Sequence, residues 1–128
     1  MSMMIEYLEN QDFTHDGRLK QEVHRGLPVF VMFQANGCGW CTKAKPAFSD
    51  LINMYRRNDK KVKFMTILAN GDKPSEKALA TRIRTIYPGI TGYPAFMLFL
   101  PDGRKYPYDM QASRDAKSFH EFIKDKTR

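Results

Sequence analysis

The chain has 128 residues, of which 42% are apolar and 27% are charged. This length fits a single domain, and we expect residues 1–128 to fold around one core. No apolar run approaches the roughly 20 residues that cross a bilayer, and 21 basic against 14 acidic residues give a net charge of +7. The basic residues form no stripe interleaved with aromatic side chains, so we expect neither a membrane nor a nucleic acid as partner.

The first half of the chain is predicted to alternate strands with helices. Met3–Leu8 is expected to form a short edge strand, and residues 16–25 a helix with Leu19 and Val23 four positions apart. The apolar run Val29–Phe33 predicts a buried strand, because the proline before it is tolerated at the start of a strand.

A long helix over residues 39–57 is predicted after the break at Asn36-Gly37. Its apolar side chains recur at i, i+3, i+4 and i+7, which is one face of a helix: Phe48, Leu51, Ile52 and Tyr55. Pro46 lies inside this helix and is expected to kink it, because proline removes one backbone donor.

The second half is predicted to contain three strands and two helices. The strands are expected at residues 62–68, 95–100 and 104–108, and the helices at residues 74–86 and 113–126. A turn at Asn70-Gly71-Asp72 ends the first of these strands, and Pro101-Asp102-Gly103 joins the other two as a hairpin. Alternation of strands and helices predicts an α/β protein whose mainly parallel central sheet gains antiparallel strands from the final hairpin.

Two cysteines, Cys38 and Cys41, lie three positions apart where the predicted strand passes into the long helix. The start of a helix offers unpaired N–H groups and a partial positive charge, which lower the pKa of a thiol from about 8.5 to roughly 3.5–7.5. Since the thiolate is the attacking species in disulfide exchange, we predict that Cys38 is the nucleophile. Cys41, one turn deeper, is the predicted resolving thiol that closes an internal disulfide, and Lys43 and Lys45 add positive charge nearby.

Two other interpretations of the cysteine pair stay open. A static bridge over three residues would stabilise the fold little, because stabilisation by loop closure grows with loop length. A metal site would need two further ligands, and His15, His24 and His120 show no ligand spacing. We therefore expect no metal and no cofactor.

The sequence resembles the thioredoxin superfamily, including protein disulfide isomerase domains, over about residues 16–126. The resemblance is carried by Cys38-Gly39-Trp40-Cys41, by Pro46 five residues later, and by Gly92-Tyr93-Pro94 before a strand. It implies a thioredoxin fold, a mixed sheet flanked by helices, and thiol–disulfide oxidoreductase activity. It also implies a cis peptide bond at Pro94 that brings Tyr93 beside the sulfurs, with Tyr93, Pro94 and the intervening Trp40 contacting substrate.

Three departures from the family's pattern are visible. Gly37 stands where relatives usually have tryptophan, and Met32 and Thr66 stand where many carry a buried acid and its lysine partner. Losing both charges together is consistent with the high cost of an unpaired buried charge. The stretch between the cysteines and Pro94 is about a dozen residues longer than in a minimal thioredoxin, with the excess expected around residues 70–90.

The expected function is reduction or exchange of protein disulfides, and the expected partners are disulfide-containing proteins and an upstream dithiol reductant or reductase. The N-terminal residues of the chain show no basic segment, apolar stretch or cleavage site, so we expect a cytoplasmic protein. A cytoplasmic setting suggests, as a hypothesis, a reductant. We also expect a monomer. A chain whose export signal had been removed would look the same. The alternative is a non-catalytic module that binds partners beside Tyr93-Pro94. A glutathione-dependent glutaredoxin is less expected, because this sequence lacks the tyrosine that is usual inside the cysteine motif of that family.

Overall fold

The structure is a computed structural model that describes residues 5–58 and 61–128. The strands are β1 (Glu6–Tyr7), β2 (Val29–Gln34), β3 (Lys63–Leu68), β4 (Ala95–Phe99) and β5 (Lys105–Pro107). The α-helices are α1 (Gln21–His24), α2 (Gly39–Arg57), α3 (Pro74–Ala80), α4 (Ile83–Ile86) and α5 (Ala116–Lys126), and Asn10–Asp12 forms a 3-10 turn. Among the described residues, no helix combines the length and apolar character that a membrane span requires.

The five strands form one mixed sheet in the order β1-β3-β2-β4-β5. Strands β1, β3 and β2 run parallel to one another, whereas β4 runs antiparallel to both β2 and β5. Helices cover both faces, and this confirms the predicted α/β class with a mixed sheet flanked by helices. Because β2 lies in the middle, the loop that leaves it lies at the centre of one sheet edge.

Alternate side chains of β2 enter two separate cores, as expected for a strand covered on both faces. Val29, Val31 and Phe33 pack with α3 and α4. Phe30 and Met32 pack with α2 and α5. Phe96 and Phe119 join Phe30 in this second core, with ring centroids 4.6 Å apart for Phe96–Phe119 and 5.9 Å for Phe30–Phe96. The second core therefore supports the underside of α2, which carries the cysteines.

The N-terminal elements are shorter than predicted. β1 spans Glu6–Tyr7 rather than reaching from Met3, which lies outside the described residues. The helix predicted over residues 16–25 is wrong except for the single turn of α1, because Gly17 has φ 84 and the amide of Thr14 bonds the carbonyl of Arg18. Residues before α1 thus form a tight turn against the sheet instead of a helical face.

The helix predicted over residues 74–86 is interrupted, giving α3 and α4. Its break falls at Thr81 and Arg82, where Arg82 has φ −108 and ψ 0. The Arg82 guanidinium donates to the carbonyl oxygens of Asn10 and Thr14, contacts that span about 70 positions of sequence and escape local periodicity. The final helix also begins later than predicted, at Ala116, because the Asp115 side chain caps it by accepting from the Ser118 amide at 2.8 Å.

Candidate active site

The candidate site lies at the sheet edge where β2 ends and β4 begins. Phe33 of β2 pairs with Ala95 of β4, so the Tyr93-Pro94 turn that precedes Ala95 lies beside the end of β2. The chain leaves β2 at Gln34 and reaches Cys38 four residues later. The antiparallel pairing thereby brings two segments together that are more than fifty positions apart in sequence.

Cys38 is the capping residue at the N-terminus of α2. It has extended backbone angles, and its Sγ accepts a hydrogen bond from the Cys41 amide at 3.1 Å. This N–H is one of the donors that the first turn of a helix leaves unpaired. A cysteine cap therefore receives both a hydrogen bond and the favourable end of the helix dipole, the two features that stabilise a thiolate.

Cys38 and Cys41 are joined by a disulfide, and they differ in exposure. Cys41 is 2% exposed in the core beneath α2, whereas Cys38 is partly exposed at the rim. The predicted burial of the second cysteine is confirmed. Only Cys38 presents sulfur to an incoming molecule, so the two thiols are not equivalent in access.

The turn opposite Cys38 has the geometry that the resemblance implies. The Tyr93–Pro94 peptide bond is cis, which confirms that prediction, and Pro94 is buried. Tyr93 is half-buried and packs, like Cys38, against the core beneath α2. Burial raises the pKa of the Tyr93 hydroxyl, and the positive charge of Arg84 partly opposes this shift.

Trp40 lies between the cysteines and is 65% exposed, the larger of the two exposed aromatic surfaces among the described residues. The Lys43 ammonium lies over its ring, 4.6 Å from the centroid. Trp40 is thus exposed between the two cysteines, and its role in binding substrate stays a prediction. Lys43 thus lies beside the exposed Trp40. Lys45 lies elsewhere and lines a cavity of about 280 Å³ together with Gln34 and Thr66.

The loop before Cys38 is fixed by a pair of residues that sequence reasoning missed. Asn70 accepts from the Asn36 amide at 2.7 Å, and its own amide donates to the Asn36 carbonyl at 3.3 Å. Gly37 follows with φ 75, a backbone region that glycine adopts readily and tryptophan rarely does. The glycine that departs from the family pattern therefore agrees with the conformation of this loop.

The positions of the missing acid and lysine are occupied by one apolar and one neutral polar side chain, and both are buried. Met32 is 1% exposed and Thr66 is 2% exposed, and the two lie opposite each other in the β2–β3 pairing.

The lengthened segment does reach the site region, because α4 supplies Arg84 to a groove that Tyr93 also lines. No group of three or more potential metal-ligating side chains occurs within residues 5–58 and 61–128.

Comparison with known proteins agrees with this geometry. The thioredoxin family model matches residues 8–125. The thioredoxin-like protein 453L of Invertebrate iridescent virus 6 is 30% identical over 127 residues, covering 93% of this chain and 91% of the viral protein. Protein disulfide-isomerase erp38 of Neurospora crassa is 32% identical over 103 residues, which cover 80% of this chain and 25% of the fungal protein.

Solved structures show the same fold. The Trx4 domain of ERdj5 superposes with a TM-score of 0.65 at 22% identity, covering 95% of this chain and 94% of that domain. Human ERp44 gives a TM-score of 0.67 at 22% identity and covers all of this chain, which spans only 31% of that chain's length. These likenesses concern the fold alone.

The site combines a Cys-x-x-Cys disulfide at the start of α2 with a neighbouring cis-proline turn, both at the end of a central mixed sheet. This combination defines a site of the thiol oxidoreductase kind. With the family model matching most of its length, the chain belongs to the thioredoxin family.

Proposed function

We propose that this protein reduces or exchanges the disulfide bonds of other proteins, with Cys38 as nucleophile and Cys41 as resolving thiol. The observation that carries the proposal is the unequal exposure of two bonded cysteines at one helix N-terminus. Cys38 is partly exposed and caps α2, while Cys41 is 2% exposed one turn deeper. Such an arrangement suits a sulfur that meets substrates and a second sulfur that meets only the first.

In the first step the Cys38 thiolate attacks one sulfur of a substrate disulfide. A Cys38–substrate S–S bond forms, the substrate S–S bond breaks, and the other substrate sulfur leaves as a thiolate that takes a proton from solvent. The Cys41 amide that donates to Cys38 Sγ stabilises the attacking charge before this step. Trp40 and the Tyr93-Pro94 turn border the accessible sulfur and would contact the substrate segment.

In the second step the Cys41 thiolate, having lost its proton, attacks Cys38 Sγ. The Cys38–Cys41 disulfide forms, the mixed disulfide breaks, and the second substrate thiol is released after protonation. The substrate gains two electrons and the protein loses two, so repeated turnover needs a dithiol reductant or a reductase upstream. With Met32 and Thr66 in place of a buried charged pair, the proton of Cys41 has no carboxylate acceptor at these positions.

The test is insulin reduction with dithiothreitol as electron source, together with a separate trapping reaction in which pre-reduced protein meets insulin after dithiothreitol has been removed. Wild type should accelerate reduction, and Cys41→Ser should accumulate a mixed disulfide with insulin that a non-reducing gel resolves. Cys38→Ser is the matched control and should form no adduct, since the exposed sulfur is gone. The proposal is wrong if wild type does not accelerate insulin reduction and Cys41→Ser forms no adduct with insulin.

A non-catalytic binding role is the second candidate, favoured by the groove of about 550 Å³ that Tyr93 shares with α4. Replacement of both cysteines by alanine separates the two roles. A binding module would keep its cellular activity in the Cys38→Ala/Cys41→Ala protein, whereas an oxidoreductase would lose it.

The direction of physiological transfer, proposed here as reduction, depends on the potential of the cysteine pair. Related couples range over roughly 150 mV. Trp40 is the single tryptophan of the chain and lies between the cysteines, so its emission can follow a titration in glutathione or dithiothreitol buffers. A potential near the reducing end supports a reductant, and one near the oxidising end contradicts that direction.

A further inference from the structure

Two exposed cations lie on elements that border the site and lack acidic partners. Lys43 is on α2, five residues after Cys38, and lies over the Trp40 ring. Arg84 is exposed on α4 and lines the groove beside Tyr93. Within the described residues, neither cation has an ion pair or hydrogen bond, in contrast to Arg104, which is paired with Asp102 at 2.7 Å.

The groove beside Tyr93 has the composition of a pocket for part of a peptide. Its volume is about 550 Å³, and Thr81, Thr91 and the Arg84 side chain line it together with Ile90. Its lining joins apolar surface to one guanidinium and to three residues that carry hydroxyl groups, Thr81, Thr91 and Tyr93. A guanidinium and a hydroxyl suit a carboxylate, because Arg binds carboxylates through paired N–H donors.

Acidic residues at the same edge do not neutralise these cations. Asp109 follows β5, which runs toward this edge, and its carboxylate accepts from the Gln111 amide at 2.9 Å rather than pairing with either cation. Asp72 follows β3 and is exposed next to Lys73. No carboxylate of the described chain lies within 4.0 Å of the charged groups of Lys43 or Arg84. Both cations are therefore available to a negatively charged group of a substrate.

We infer that the site prefers disulfides carried by acidic segments, with one substrate carboxylate meeting Lys43 over Trp40 and another meeting Arg84 in the Tyr93 groove. This inference rests on the proposed function and adds the class of substrate. The attraction acts on capture of the substrate and is screened by salt, since exposed charges interact over about 10 Å at 0.1 M ionic strength.

The experiment compares two synthetic peptides that share one intramolecular disulfide and differ only in flanking residues, Glu-Glu in one and Lys-Lys in the other. For wild type, kcat/KM should be about threefold or more higher for the acidic peptide at low salt, with the ratio approaching one at high salt. Lys43→Glu/Arg84→Glu should remove or reverse the preference. Both substitutions are on exposed side chains without ion pairs or hydrogen bonds, and circular dichroism verifies the fold of each variant.

Lys124→Glu is the matched control. Lys124 is exposed in the last turn of α5, which begins near the site edge and runs away from it. This control changes the net charge by the same amount as Lys43→Glu or Arg84→Glu alone, and it should keep the preference for the acidic peptide. If Lys124→Glu loses the preference as fully as either single variant, overall charge is responsible and the inference is wrong.

Equal wild-type rates for the two peptides, or a faster basic peptide, also overturn the inference while leaving the proposed function intact. Failure of wild type to reduce either peptide overturns the proposed function itself. Should the double charge reversal not fold, the wild-type ratio and its salt dependence still decide, together with the single variants Lys43→Gln and Arg84→Gln.

Discussion

Thr66 lies opposite Met32 in the parallel pairing of β2 and β3, and its hydroxyl donates a hydrogen bond to the Met32 carbonyl oxygen at 2.8 Å. The same hydroxyl accepts from Gln34 Nε2, also at 2.8 Å. All three residues are buried. A neutral chain of hydrogen-bonded groups thus occupies the place where a charged pair is common in the family.

We predict that Thr66→Val destabilises the protein although valine has nearly the same shape. The substitution leaves the buried Gln34 amide without its acceptor, which costs about 1–3 kcal/mol of unfolding free energy. Urea denaturation, followed by circular dichroism, measures the difference.

Two controls sharpen this prediction. Thr66→Ser keeps the hydroxyl and should lose less stability than Thr66→Val. Thr66→Val/Gln34→Leu removes both partners, and the double variant should recover part of the loss because no polar side chain then remains unpaired. A Thr66→Val protein as stable as wild type would show that the buried bond contributes nothing.

Arg82 is predicted to hold the lengthened segment against the N-terminal turn. Its guanidinium donates to the Asn10 side chain at 2.9 Å and to the carbonyl oxygens of Asn10 and Thr14. Arg82→Leu removes these charge-assisted bonds and should lower the unfolding free energy by about 1.5–3 kcal/mol. Disulfide reduction should be unchanged where the variant is folded, because none of these contacts involves the cysteines.

The neighbouring Arg84 provides the contrast for Arg82. It is exposed and carries no hydrogen bond or ion pair within the described chain, so Arg84→Leu should change stability by no more than about 0.5 kcal/mol. Equal losses for the two leucine variants would contradict the assignment of Arg82 as the contact that fixes this segment.

Much of the fold could be predicted from the sequence because its central elements have strong local patterns. The continuous apolar run of β2 and the helical spacing of Phe48, Leu51 and Tyr55 do not depend on distant contacts. The helix at residues 16–25 was predicted wrongly for the opposite reason, and so was the continuity of the helix at residues 74–86. The positive φ of Gly17 excludes the early start of the first helix, and the break in the second lies where Arg82 makes its long-range bonds; neither feature has a periodic signature.

The site was partly predictable on the same grounds. A cysteine motif between a strand and a helix locates the sulfurs, and the resemblance indicated the cis bond before Pro94. The Asn36–Asn70 pair and the placement of Arg84 beside Tyr93 required the folded chain, because each brings together residues of different segments. One sequence gives no signal for such pairs, since asparagine is ordinary in loops and arginine is ordinary on exposed helix faces.

Gly37 is predicted to resist substitution although nothing lies within 4 Å of the position its Cβ would take. The cost comes from its φ of 75, because an L-residue in this left-handed region loses about 1–2 kcal/mol. Gly37→Ala should therefore destabilise the oxidised protein by about 1 kcal/mol, and Gly37→Asn by less, since asparagine tolerates this conformation.

Gly39 is the internal control for Gly37. It also has open space around its Cβ position, has no positive φ and forms the first residue of α2. Gly39→Ala should be neutral or stabilising, because alanine has the higher helix propensity. Thermal unfolding of both variants under the same redox conditions makes the comparison, and equal stability of the two proteins would show that the loop relaxes without cost.

Tyr55 is predicted to make stability fall at alkaline pH. Burial raises its pKa to about 12, with a smaller contribution from the charge of Glu121, and its hydroxyl is hydrogen-bonded to His120 Nδ1 at 2.9 Å. In the unfolded chain a tyrosine loses its proton near pH 10. Between pH 10 and 12 the unfolded state therefore binds fewer protons than the folded state, and the free energy of unfolding decreases with pH.

Tyr55→Phe isolates this contribution. Burial also raises the pKa values of Tyr87, Tyr93 and Tyr108, so both proteins lose stability above pH 10. Wild type should lose about 2 kcal/mol more than Tyr55→Phe between pH 9 and about 11.5, measured by urea denaturation at each pH. Loss of the bond to His120 lowers the variant's stability at neutral pH but leaves the comparison of slopes intact. Parallel pH profiles for the two proteins would mean that Tyr55 ionises in the folded chain as readily as in the unfolded one.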